Sequence, residues 1–161
     1  MNIEELREKQ MKYYDISVYK PEKVKITKLN IDRIISQLCF IVDYLIRHEH
    51  TLTHICLNDF EMCDDTLFLK SDARVVSIDS KHKFTYKKDT DKMCFPNKGL
   101  VDGQKASVDD TYASVGLFIY YLYFKKVVNN ISEKDYGKLK GTRPYYFIKN
   151  TMKPSPCLIY L

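Results

Sequence analysis

The chain contains no tryptophan and only five glycines in 161 residues. Those glycines, at positions 99, 103, 116, 137 and 141, are scattered, so no glycine-rich phosphate loop can be built from them. Its five cysteines are odd in number and form no C-x-x-C pair. That excludes a simple disulfide framework and a paired-cysteine zinc knuckle, and it suits reduced, buried thiols. The N-terminus, MNIEELREKQ, has no apolar segment of the kind a secretory signal carries. Nor is there an apolar run near the roughly 20 residues that a membrane helix needs. The expected compartment is the cytosol, with nuclear access.

What is present is a mildly basic, tyrosine-rich chain. The net charge is +5, 29% of residues are charged, and there are thirteen Tyr and eight Phe. The length fits one domain with a real core. Its organising stretch is Ser107 to Lys126, SVDDTYASVGLFIYYLYFKK. Asp109 and Asp110 precede an uncharged apolar run from Val115 to Phe124, and Lys125 and Lys126 follow it. These charges complement a helix dipole in the chain's own direction. A helix apolar on all faces must be enclosed, and ten residues do not cross a bilayer, so a central core helix is predicted.

A polar helix or arm is predicted over residues 1 to 15, then two short extended pieces either side of Lys20-Pro21. Ile31, Ile34, Ile35, Leu38, Ile41, Val42 and Leu45 recur at helical spacing, which predicts a helix from about Asn30 to His48. LFL at 67–69 and RVVSID at 74–79 read as two strands joined by a turn at Ser71-Asp72-Ala73. Residues 80–106 read as a long polar loop. A weak helix is expected within 131–141, and a last one over 145–152, stopped by Pro154 and Pro156.

This order of elements resembles the C-terminal lobe of protein kinases over roughly residues 26–152. DFEMCDDTLFLKSDARVVSIDSK, residues 59–81, resembles a catalytic loop, the hairpin after it and the metal-binding segment. Asp59-Phe60-Glu61 stand where that family has His-Arg-Asp, Thr66 replaces the catalytic-loop Asn, and Asp79-Ser80-Lys81 replace Asp-Phe-Gly. Phe95-Pro96-Asn97 resembles a worn Ala-Pro-Glu, and DDTYASVGLFIYYL resembles the start of the lobe's buried helix, one residue longer than the family spacing. The resemblance implies an α+β, mostly α fold with a small β-hairpin and no small lobe, divided into an N-terminal arm (1–25) and the lobe-like domain (26–161). It also implies lost chemistry. Glu61 is a misplaced base, Thr66 is a poor metal ligand, and Asp79 alone cannot hold magnesium without phosphates. The expectation is therefore no enzyme, no cofactor and no resident metal.

A similar design is the kinase non-catalytic C-lobe domain of Spire-type actin nucleators and of a large tyrosine phosphatase, which docks proteins. The expected function is non-catalytic protein recognition, with a viral or pathogen mimic of a host kinase among its forms and a kinase or cytoskeletal regulator among its partners. Tyr145 and Tyr146, with Arg143 beside them, are the candidate partner-binding residues, because exposed aromatics mark interfaces. The alternatives are a residual phosphotransferase needing a partner's small lobe and a basic nucleic-acid adaptor. KHKFTYKK (81–88) and KLKGTRPYYFIK (138–149) interleave cations with aromatics, as single-stranded nucleic-acid surfaces do, although solvated loops are the favoured reading. His48, His50, His54 and Cys56 could offer metal ligands, but at a spacing that matches no zinc pattern. Cys56 or Cys63 as a nucleophile lacks any group to orient a base.

Overall fold

The computed structural model describes residues 2–88, 93–154 and 156–158. The predicted core helix is α3, Val108–Phe124, and residues 113–120 along it are all buried. Ser107 caps its start, accepting from the Asp109 amide, while the Asp110 carboxylate accepts from the Ser107 amide at 3.0 Å. Lys125 ends it in the left-handed region with φ 57°. The last turn is only half enclosed, with Tyr121, Tyr123 and Phe124 partly exposed.

Two other helices pack around α3. The helix α2, Ile31–Arg47, buries Ile34, Ile35, Leu38, Ile41, Val42 and Leu45, as its spacing requires. The terminal α5, Arg143–Met152, crosses α3 so closely that a Cβ on Gly116 would stand 2.2 Å from Thr151 Oγ1. The short α4, Glu133–Tyr136, leads into it. No helix among the described residues is long and apolar enough to cross a membrane.

The expected turn at Ser71-Asp72-Ala73 connects two strands, but they do not pair with each other. Instead β2, Phe60–Cys63, pairs antiparallel with β3, Thr66–Leu69. Asp64 and Asp65 form the turn between them at φ 48° and 61°, both in the left-handed region that two-residue hairpin turns use. Aspartate tolerates that region, and the Asp65 carboxylate is held by Asn30 Nδ2 at 3.0 Å and Arg33 Nη1 at 2.8 Å. RVVS contributes β4, Val75–Ser77, whose partner is the distant β1, His50–Leu52. The segment expected as a loop holds β5, Lys83–Thr85, paired with β6, Lys105–Ser107. Its part at 89–92 lies outside the described residues.

The N-terminal arm is part of the main body. Its helix α1, Ile3–Tyr13, seats Leu6 in the principal core and spans β3, with Gln10 Nε2 donating to Leu67 O at 2.8 Å. The two extended pieces expected after α1 reduce to one bridge, Glu22 to Met62 on the outer edge of β2. The architecture is thus α+β, with helices outweighing three two-stranded ribbons.

The reading of five reduced thiols is also corrected. Cys56 and Cys94 form a disulfide, and Cys39, Cys63 and Cys157 are free. Because disulfides persist in oxidising surroundings, the cysteines no longer argue for the cytosol.

Two measurements follow from these contacts. Thiol titration in denaturant is expected to count three groups without reductant and five after reduction; five in both would remove the bridge. Gly116→Ala is expected to destabilise by about 1–2 kcal/mol, since overpacking outweighs the helix propensity that alanine gains. Thr151→Ala in the same chain should recover part of that loss in a urea melt, because it removes the overlapping hydroxyl. Equal melts for wild type and Gly116→Ala would show that α3 and α5 do not touch there.

Candidate functional site

The connection from β1 to β2, residues 53–59, is a buried polar loop at the centre of the molecule. The core helix holds it. Ser114 Oγ accepts from the Ile55 amide at 2.7 Å and donates to Phe95 O at 2.5 Å, while Thr111 Oγ1 donates to Leu52 O at 2.9 Å. A second strap of chain lies alongside, with Phe95 N donating to Ile55 O and Leu57 N to Met93 O. The disulfide joins these two straps.

Beside the loop, Asp59, Arg74 and His54 lie together. Asp59 is only 6% exposed. Arg74 meets its two oxygens as a fork, Nε to Oδ1 at 3.2 Å and Nη2 to Oδ2 at 3.3 Å. His54 is 5% exposed, with Nδ1 2.9 Å from Thr53 Oγ1 and its ring 5.8 Å from that of Tyr86. Burial pushes the His54 pKa down to about 4; the Arg74 charge lowers it further and Asp59 partly offsets this. At neutral pH the imidazole is therefore uncharged. Next to it lies a cavity of about 380 Å³, lined by Thr53, His54, Arg74, Val75, Val76 and Lys87 among others.

On the loop's other side a cavity of about 640 Å³ opens between the arm and the hairpin, lined by Pro21, Lys23, Leu57, Asn58, Glu61 and Lys70 among others. Glu61 lies within β2 and is occupied by the arm. It accepts from Tyr19 OH at 2.7 Å and stands 3.7 Å from Arg7 Nη2. Burial and the Glu61 partner raise the Tyr19 pKa.

The three residues expected at degenerate catalytic positions share no partner. Thr66 is buried at the start of β3, its hydroxyl 3.4 Å from Asp64 O. Asp79 lies beyond β4 and closes its own turn, Oδ1 accepting from the Lys81 amide at 2.8 Å and the Lys83 amide at 2.9 Å. Those amides, with the Lys105 and Lys81 charges, hold its carboxyl below the usual range. The expected alignment fails because FEMC is a strand and not a loop. The charged and titratable side chains beside the loop are His54, Asp59 and Arg74. The sequence pointed to Asp59 as part of a catalytic-loop motif and to His54 as a candidate metal ligand, whereas nothing in it marked Arg74 as their neighbour.

The candidate partner residues divide in the same way. Arg143 is exposed and Tyr146 is 54% exposed. Tyr145 is 3% exposed and belongs to the core, so it is withdrawn as a surface contact. It lies on the inner face of α5 with Phe147 and Ile148, and its hydroxyl donates to the Glu133 carboxylate. That bond, with burial second, raises its pKa to about 12.

The histidine cluster does not assemble. His48 Nδ1 sits on Tyr44 O at 2.8 Å, His50 Nδ1 on His48 O at 2.6 Å, and Cys56 is in the disulfide. Among the described residues no group of three or more His, Cys, Asp or Glu could hold a metal. Cys63 is buried beside Phe68 and Ile16, with no oriented base. No family model and no curated protein sequence matches the chain.

The lowered His54 pKa has a sign that can be checked. The unfolded chain protonates this histidine near 6.5 and the folded one near 4. In that window the unfolded state holds the extra proton, so stability is full above about 6.5 and falls as pH drops toward 4. The expected loss is about 2–3 kcal/mol relative to His54→Gln, measured as the difference between their urea melts across that range. Parallel pH profiles for the two proteins would mean that His54 is not held neutral.

Proposed function

We propose that this chain is a non-catalytic protein-docking module with the plan of a kinase large lobe. The order of elements supports that plan: a long helix, a short strand, a buried loop, a hairpin, a strand pairing back to the first, and an enclosed helix. The observed hairpin shifts the correspondence proposed from sequence. The loop before it, 53–59, takes the catalytic-loop place, and 70–73 takes that of the metal-binding segment. In the H-R-D-L-x-x-x-N pattern the Asp precedes the Asn by five residues. With Asp59 at the Asn position, His54 falls on the Asp position. A buried neutral imidazole held by Thr53 is a poor base for a substrate hydroxyl, which must come within hydrogen-bond reach of it.

The observation that carries the reading is how the acidic groups are used. Asp59 is closed by Arg74, Glu61 by Tyr19 and Arg7, and Asp79 by its own turn. Each carboxylate completes the fold instead of facing a common point. Phosphoryl transfer needs carboxylates converging on metal-bound phosphates. The arm also lies where a small lobe would otherwise sit, against β2 and β3. The exposed partner surface is then the start of α5, with Tyr146 and Arg143.

Affinity capture from native lysate, with a circular dichroism melt of each variant, tests this. Arg143→Glu with Tyr146→Ala is expected to cut recovery of a reproducibly captured protein at least tenfold, with the melt unchanged. Asp79→Ala should recover as much as wild type. Loss of capture with Asp79→Ala alone, or micromolar Mg-ATP affinity by calorimetry, would move the assignment to a nucleotide-dependent activity.

A further inference from the structure

The basic segment 81–88 is centred on the strand β5, Lys83–Thr85, and the strand sorts its residues. Phe84 and Tyr86 point inward, 2% and 3% exposed, and pack with Ala106 against Val76, Ile78 and Leu100. Lys83 and Thr85 are exposed on the opposite face, and Lys87 is exposed just past β5, at the rim of the cavity beside His54. The register sets Thr85 opposite Lys105, which is also exposed, and Lys83 opposite Ser107. The ladder runs on past β5, since Tyr86 N donates to Gln104 O and Gly103 N to Tyr86 O, both at 2.8 Å. Lys88 is fixed at the far end, its amide 2.7 Å from Asp102 Oδ1, and Lys81 sits in the Asp79 turn at the near end. The result is a ribbon with an apolar underside and, among the described residues, an outer face rich in lysine, with Asp79 and Asp102 at its ends.

We propose that this outer face is a sequence-independent contact for the phosphate backbone of a nucleic acid. Among the described residues, five lysines, at 81, 83, 87, 88 and 105, are set against two carboxylates, Asp79 and Asp102, each already accepting backbone amides. Along an extended strand Lys83 and Lys87 stand about 13 Å apart, close to the rise of four phosphates on one strand. Lysine binds phosphate as a point charge, and phosphate contacts position a nucleic acid without reading its sequence. The aromatics that would stack on bases are underneath, so the face offers no stacking platform. A protein partner fits less well, because interface centres are poor in lysine and rich in exposed aromatics. An anionic membrane fits less well too, since Val101, 52% exposed, is the large apolar side chain prominent at this end. This inference is independent of the docking role assigned to α5.

Fluorescence anisotropy with labelled 20-mers tests it, using single-stranded DNA, duplex DNA and single-stranded RNA between 50 and 200 mM salt. Binding is expected to fall steeply with salt. The Lys83→Gln, Lys87→Gln, Lys105→Gln triple variant is expected to weaken it at least tenfold and to lower the log–log salt slope by about 2–3. Lys138→Gln with Lys140→Gln, on an exposed segment elsewhere, should bind like wild type. Lys87→Gln alone, at an exposed position, should lower the slope by roughly 0.7–0.9 and serves if the triple variant does not fold. Preference for duplex over single strand, or the reverse, identifies which backbone geometry the ribbon follows, and either supports the proposal. No binding at 50 mM salt overturns it, as does equal weakening by the distal pair, or equal affinity for polyglutamate or anionic vesicles.

Discussion

Two hydroxyl groups on the core helix govern the arrangement around them. Thr111 and Ser114 are both fully buried, and they meet backbone groups of residues 52, 55 and 95 that no strand partner reaches. An unmet backbone group in the interior costs about 1–3 kcal/mol. The helix thus serves as a surrogate strand edge for the loop between β1 and β2. That fixes the loop's path, and with it the positions of His54, Asp59 and the two cavities flanking them.

The helices were readable in sequence because their evidence is local. Seven apolar residues at three- and four-residue intervals define α2, and paired acids and lysines bracket α3. The boundaries found, Ile31–Arg47 and Val108–Phe124, lie within a residue or two of those expected. The polar members of α3 were less visible, since a serine or threonine inside an apolar run carries no sign of which distant carbonyl it meets.

The strands were harder for a physical reason. RVVS pairs with His50–Leu52, so its partner lies more than twenty residues away and leaves no mark in its own spacing. FEMC was absorbed into a motif, although Asp64-Asp65 supplied a hairpin turn at the correct place. The same turn sets Glu61 and Thr66 on the two strands of one hairpin, with Asp79 beyond β4. Conversely, KHKFTYKK looked like alternating cations and aromatics on one surface, whereas a strand sends alternate residues to opposite faces. The bridge between Cys56 and Cys94 spans 38 residues, a separation at which no cysteine pairing can be deduced from sequence alone.

That bridge also sets how the molecule answers a mechanical load. Tension applied at the two ends passes from Cys56 to Cys94 through sulfur, and the chain between them carries none of it. This sheltered ring contains the β2–β3 hairpin, β4 and β5. Stretched out, it would add about 130 Å of contour. A pulled, oxidised molecule therefore gives up its outer helices while the ring stays closed, and the withheld length becomes available only when the sulfur–sulfur bond is reduced.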